Sequence, residues 1–130
     1  MARILLIDDD TPLREVLAAT LANAGHSVIQ AADGLQAMEL FRAEPAELVI
    51  TDILMPGHEG IETIVQLRRD APKVPIIAIS GAPNNSKFYL TMAAKLGAQR
   101  SLAKPFSPAE LLGAVSAVLA ERPTSDAARP

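Results

Sequence analysis

Five short runs of branched aliphatic residues recur along the chain, at Ile4–Ile7, Ser27–Ala31, Leu48–Thr51, Pro75–Ile79 and Arg100–Ala103. They are too short for helices. Most are apolar on consecutive positions, as strands buried on both faces of a parallel sheet are. The more mixed run Ser27–Ala31 suits a strand at a sheet edge. Between the runs the apolar positions take helical spacing. Leu13, Val16, Leu17 and Leu21 form one stripe, opened by Thr11-Pro12 and stopped by Ala24-Gly25. Ala37, Met38 and Phe41 share a face after Asp33-Gly34, in a segment ending near Pro45. Ile61, Ile64 and Leu67 follow Gly60 and precede Pro72, and Leu90, Ala93, Ala94 and Leu96 precede Gly97. Ser107-Pro108 opens the last helix, which carries Leu111, Leu112, Val115, Val118 and Leu119 and stops before Pro123. Five strand–helix units in strict alternation predict an α/β fold with a doubly wound parallel sheet, because right-handed crossovers put helices on both faces.

Composition narrows the function classes. A chain of 130 residues fits one domain with one substantial core, and 49% hydrophobic residues exclude a disordered chain. The formal net charge of −3 argues against nucleic acid as a direct partner, since phosphate-backbone binding needs a basic face. With no cysteine, disulfides, thiolate nucleophiles and zinc–thiolate sites are excluded. Three Phe and one Tyr leave the core to aliphatic residues. The amino terminus passes from Arg3 straight into Ile4–Ile7, and no apolar run reaches signal-peptide or membrane-spanning length. The expectation is a cytoplasmic protein without membrane insertion.

Ligands of open parallel sheets bind at the carboxyl ends of the strands. Asp8, Asp9 and Asp10 follow the first strand, Asp52 the third, Ser80 the fourth and Lys104 the fifth. Three gathered carboxylates repel one another, and Lys104 alone cannot neutralise them. A hard divalent cation resolves the conflict, and Mg²⁺ suits carboxylates that leave room for water and phosphate. A carboxylate beside Mg²⁺ and a lysine is a nucleophile for phosphoryl transfer, with Ser80 and Lys104 placed to bond phosphoryl oxygens. The Asp run also reads as a helix-capping cluster, and Asp10 is the member least suited to touch metal. Neither His26 nor His58 has a partner spaced for zinc, and both read as exposed loop residues.

The motifs Ile4-Leu5-Leu6-Ile7-Asp8-Asp9, Thr51-Asp52-Ile53-Leu54-Met55-Pro56-Gly57, Ile79-Ser80-Gly81 and Lys104-Pro105-Phe106 resemble those of the receiver domain of two-component response regulators. The resemblance covers roughly residues 2–121. It implies a flavodoxin-like (βα)5 sheet of order 2-1-3-4-5, with a receiver over 1–121 and a short flexible tail over 122–130. It makes Asp52 the phospho-acceptor, with Asp8, Asp9, Asp52 and the Leu54 backbone carbonyl holding Mg²⁺. Ser80 becomes the switch hydroxyl, Lys104 the site lysine, and the Lys104–Pro105 bond cis. The implied donor is a sensor histidine kinase or a histidine phosphotransfer protein, and the implied output is a conformational switch read by a separate downstream protein. A homodimer through the fourth helix, fifth strand and fifth helix is a further expectation. The chain would catalyse only its own phosphorylation and dephosphorylation, as a stand-alone, chemotaxis-regulator-like receiver or as a phosphorelay intermediate.

Three departures from the family pattern stand out. Ser101 occupies the place of the usual aromatic residue three positions before the lysine. Gly81 stands where Ala is typical, and the stretch Gly81-Ala82-Pro83-Asn84-Asn85 reads as a longer loop. Leu54 and Ala82, two beyond Asp52 and Ser80, lack groups to orient an attacking water, which predicts slow loss of the phosphoryl group. The Ser101 substitution keeps open an interaction module that signals without phosphorylation. A hydrolase of the haloacid-dehalogenase type is disfavoured, because Pro12 stands where Thr or Val is needed. On the last helix, Ala109, Gly113, Ala114, Ser116, Ala117 and Ala120 make a face of small residues that suits either packing or docking. Of Phe88 and Tyr89, which open the fourth helix, one is expected to pack inward.

Overall fold

The structure is a computed structural model that describes residues 1–53, 59–81 and 86–121, leaving aside the side chains of residues 59 and 86–90. Its elements alternate as β1 (Arg3–Ile7), α1 (Thr11–Asn23), β2 (Ser27–Ala31), α2 (Gly34–Ala43), β3 (Leu48–Asp52), α3 (Glu59–Asp70), β4 (Ile76–Ser80), α4 (Ser86–Lys95), β5 (Arg100–Ala103) and α5 (Pro108–Glu121). The strands form one sheet in the order β2-β1-β3-β4-β5, parallel throughout, as in the flavodoxin-like fold.

The continuous apolar runs are explained by two core layers. On one face of the sheet, Leu5, Ile7, Val49, Ile76 and Ala78 pack with Ala37, Met38 and Phe41 of α2, Ile64 and Leu67 of α3, and Ala93 of α4. On the other, Ile4, Leu6, Leu48, Ile50, Ile77 and Ile79 pack with Leu17 and Leu21 of α1 and Leu111, Val115 and Val118 of α5. Successive strand residues therefore serve opposite layers. Full burial of each large aliphatic side chain contributes roughly 1.5–3 kcal/mol.

Helix ends follow local chemistry. The Leu13 N–H donates to Asp10 Oδ1 at 3.2 Å, so Asp10 is the cap of α1. Gly25, at φ 100°, reverses the chain after α1. Ser107 and Glu110 form a reciprocal capping box at the start of α5, at 3.0 and 2.7 Å.

Several expectations change. Val16 is 60% exposed rather than part of the buried stripe; Ala18 takes the inward place with Leu17 and Leu21. Ala94 likewise faces outward, whereas Ala93 is buried. His26 is half-buried, not an exposed loop residue: its Nδ1 accepts a hydrogen bond from the Ala2 N–H at 3.0 Å, tying the start of β1 to the α1–β2 turn. Both β2 and β5 are sheet edges, and on β5 only Leu102 is partly buried, with Ser101 exposed. Within the small-residue face of α5, Ala114 packs against the core, while Ala109, Gly113, Ser116 and Ala120 are exposed. Arg100 pairs with Glu121, holding the edge strand to the end of α5. The expectations for Leu54, His58, the loop from Ala82 to Asn85, the Phe88 and Tyr89 side chains and the tail 122–130 lie outside the described residues. Among those residues no helix is long and apolar enough to cross a membrane.

Candidate functional site

The parallel register sets the rim. Ile7 pairs with Thr51 and Asp52 with Ile79, so Asp8, one residue past Ile7, stands level with Asp52 across the β1–β3 pair. Ser80 ends β4 opposite Ala103, and the residue that follows Ala103 at the end of β5 is Lys104. Main-chain hydrogen bonds extend the ladder past the strands: Asp8 N–H to the Ala31 carbonyl at 3.1 Å, and Lys104 N–H to the Ser80 carbonyl at 2.8 Å. The sheet thus brings together Asp8, Asp9, Asp52 and Lys104, with Ser80 bonded to Lys104 through the backbone.

Lys104 is the hub. Its Nζ donates to Asp52 Oδ2 at 2.9 Å and to Asp8 Oδ2 at 3.3 Å. Both carboxylates are buried, at 4% and 1% exposure. The main-chain N–H of Asp10 donates to Asp8 Oδ1 at 2.9 Å, so both oxygens of Asp8 are engaged. Asp9 is exposed, yet carboxylate oxygens of Asp8, Asp9 and Asp52 all lie within 4.8 Å of one another. Among the described residues, these three carboxylates outnumber the Lys104 ammonium that bonds two of them, and a divalent cation would offset the excess negative charge. The donor set is all carboxylate oxygen, which fits a hard cation such as Mg²⁺.

Burial and mutual charge act on the ionisation of two of these groups. Burial pushes the Asp8 carboxyl above its usual range, and the Asp52 charge adds to this, outweighing the Asp10 N–H and the Lys104 ammonium. For Lys104, burial works against the charged form, but hydrogen bonds and charges from Asp52 and Asp8 prevail and hold its pKa above the ordinary lysine value.

Ser80 is fully buried, and its Oγ has no hydrogen-bond partner among the described residues. A buried hydroxyl without a partner is costly, so its place beside the acidic rim suits it to donate to a group bound there. The Lys104–Pro105 bond is cis. Gly81 leaves room for the lysine: a Cβ there would lie 3.1 Å from Lys104 Cδ, tighter than ordinary contact.

Two contributors were not singled out by their sequence positions. Gly60, in the first turn of α3, lies so close to the end of β3 that a Cβ would sit 2.3 Å from the Asp52 carbonyl oxygen and from Ile53 Cα. A glycine eight residues after a strand-end aspartate was the only available signal. Arg14, one turn into α1, donates from Nη1 to the Asp8 carbonyl at 2.7 Å and from Nε to Gln30 Oε1 at 3.0 Å. Nothing in the apolar pattern marks it.

Beside Lys104, an apolar recess of about 270 Å³ opens between α1 and the β5–α5 turn, lined by Leu13, Val16, Leu17, Phe106 and Pro108. The outward turn of Val16 makes one wall of this recess.

Comparison with known proteins agrees with this geometry. The model of the response regulator receiver domain matches residues 4–116. The "Probable transcriptional regulator ycf27" of Porphyridium aerugineum is 37% identical over 117 residues, covering 90% of this chain and 48% of that protein. The response regulator MprA of Mycobacterium leprae is 35% identical over 126 residues, covering 97% of this chain and 54% of its own length. The chain therefore spans about half the length of the curated relatives it matches. Among solved structures, the chemotaxis protein CheY4 of Vibrio cholerae superposes with a TM-score of 0.83 at 30% identity, covering 91% of this chain and 98% of CheY4. With a family match across nearly all of the sheet and its helices, this chain belongs to the response regulator receiver domain family.

Proposed function

We propose that this receiver takes a phosphoryl group from a phosphohistidine donor onto Asp52 in a Mg²⁺-dependent step and signals through the resulting conformational change. The observation that carries the proposal is the Lys104 ammonium bridging Asp8 and Asp52 next to a buried, unpartnered Ser80 hydroxyl. Asp8, Asp9 and Asp52, with the Leu54 carbonyl implied by the family resemblance, would hold the ion. Bound there, Mg²⁺ supplies positive charge to phosphoryl oxygens and relieves the repulsion among the carboxylates.

The chain's own groups do the rest. A carboxylate oxygen of Asp52 forms the new P–O bond as the P–N bond to the donor imidazole breaks, and the imidazole leaves with the bonding electron pair. Lys104, already fixed by its two carboxylates, moves one hydrogen bond from Asp52 to a phosphoryl oxygen. The Ser80 hydroxyl donates to another, gaining the partner it lacks. This gain exists only in the phosphorylated state, so it biases the domain toward a second conformation. The apolar recess beside Lys104 gives a donor protein a surface next to the reacting carboxylate. A sensor histidine kinase or a histidine phosphotransfer protein fits that description. The chain catalyses only its own phosphorylation and dephosphorylation, in the cytoplasm.

Incubation with a small-molecule phosphodonor, read by intact mass, tests the reading. One phosphoryl increment is expected with Mg²⁺, none in chelator and none for Asp52→Asn. Labelling that persists in Asp52→Asn overturns the assignment.

A further inference from the structure

We infer that Arg14 is a positioning residue for the acidic pair, aiming Asp9 at the metal through the main chain of Asp8. The inference rests on the metal-site reading above.

Asp8 and Asp52 have their carboxylates held by side-chain and main-chain donors: Lys104 for both, and the Asp10 N–H for Asp8. Asp9 differs. It is the exposed member of the cluster, and its direction depends on the peptide units on either side. The unit after it is fixed by the Asp10 N–H on Asp8 Oδ1, with Asp10 in turn capping α1. The unit before it is fixed through the Asp8 carbonyl, which accepts from Arg14 Nη1 at 2.7 Å. Arg14 is itself held from the side by Gln30 Oε1 on edge strand β2. A rigid α1 and a sheet strand therefore grip one carbonyl through a single planar guanidinium. A short charge-assisted hydrogen bond to a main-chain carbonyl restrains the peptide plane, and with it the Cα–Cβ direction of Asp9. Groups that orient metal ligands in this way typically change affinity 10–100-fold when removed.

The sign of the effect separates positioning from bulk electrostatics. Arg14 is a cation close to a cation site, so as a charge alone it repels Mg²⁺, and its removal would tighten binding. As a positioning residue, its removal weakens binding.

The test is Mg²⁺ titration by calorimetry on the full chain, paired with thermal melts in chelator. Arg14→Met is expected to weaken Mg²⁺ roughly tenfold. Its melting midpoint in chelator should stay close to that of the parent protein. Arg14→Lys, which keeps a donor and the charge, should restore most of the affinity. Gln30→Leu, on an exposed edge position, is expected to weaken Mg²⁺ by a smaller factor in the same direction, and it decides the matter if Arg14→Met does not fold. Unchanged or tighter Mg²⁺ binding in both Arg14→Met and Gln30→Leu overturns the inference while leaving the metal site intact. Absence of Mg²⁺ binding by the parent protein overturns the metal-site reading and this inference with it.

Discussion

Replacing Lys104 with Met removes the ammonium shared by Asp8 and Asp52 while keeping most of the side chain's apolar stem. The two carboxylates are 1% and 4% exposed and would face each other without that shared cation. Removing one partner of a buried ion pair costs about 3–5 kcal/mol, and the 21% exposure of the Lys104 side chain argues for the lower end. A loss of about 3 kcal/mol lowers the melting midpoint of a domain this size by roughly 10 °C. The pKa of Lys104 is raised by folding, so its contribution is complete below the ordinary lysine value of about 10.4 and disappears as pH rises through the folded value. Neutral pH therefore shows the full effect. Magnesium should narrow the gap. Lys104 repels a metal held by the same carboxylates, so the variant binds Mg²⁺ more tightly, and each tenfold gain returns about 1.4 kcal/mol at saturating metal. Unfolding followed by far-ultraviolet circular dichroism suits a chain with no Trp. A variant as stable as the parent in chelator would refute the premise that Lys104 holds two buried charges, as would a deficit that widens with Mg²⁺.

Three further outcomes follow from the same geometry. Folding raises the Asp8 pKa, so this group's contribution to stability is fully present below its unfolded value of about 3.9 and is lost as pH rises through the folded value. In chelator, urea midpoints of the parent should therefore fall relative to Asp8→Asn as pH is raised from 4 toward neutrality, and parallel profiles would contradict this. Ser80→Ala removes a buried hydroxyl without a partner, so the unphosphorylated fold should be unchanged or up to about 1 kcal/mol more stable, while phosphodonor labelling slows. A clear loss of stability in Ser80→Ala would show that the hydroxyl is satisfied. Gly60→Ala places a methyl group 2.3 Å from the backbone of Asp52 and Ile53, and should cost about 2 kcal/mol or more, seen as a lowered urea midpoint. Near-parental stability would contradict that close approach of α3 to β3.

Much of this architecture was legible because buried parallel strands write themselves as short unbroken apolar runs. Ile4–Ile7 and Leu48–Thr51 marked β1 and β3 to within a residue, and the polar residues after each run fell on one rim. The helix stripes were less reliable. In α1 the sequence pointed to Val16, a large apolar residue, where the core takes the small Ala18; size and hydropathy do not reveal which flank of a wide apolar face turns to the sheet. The outward turn of Val16 instead builds the recess beside Lys104. His26 was misread because its partner is the Ala2 N–H, 24 residues away in sequence, and such a bond exists only after β1 and β2 pair. Arg14 and Gln30 stayed hidden for the same reason. A polar residue on an exposed helix flank has no periodic signature, and its bond to the Asp8 carbonyl depends on the distance between α1 and the sheet edge. The exposed Ser101 on β5 has the reverse history. Its position was conspicuous only against the family pattern, and in the structure it is a small polar residue on an edge strand.

The central claim is that Asp52, among three neighbouring carboxylates, is the one that carries the phosphoryl group. Borohydride reduction of the phosphodonor-treated protein converts an aspartyl phosphate to homoserine, and peptide sequencing by mass spectrometry then locates it. The proposed function predicts a single homoserine at position 52, formed only when Mg²⁺ is present. Homoserine at position 8 or 9, or none at 52 in a protein shown to be folded and metal-loaded, would contradict it.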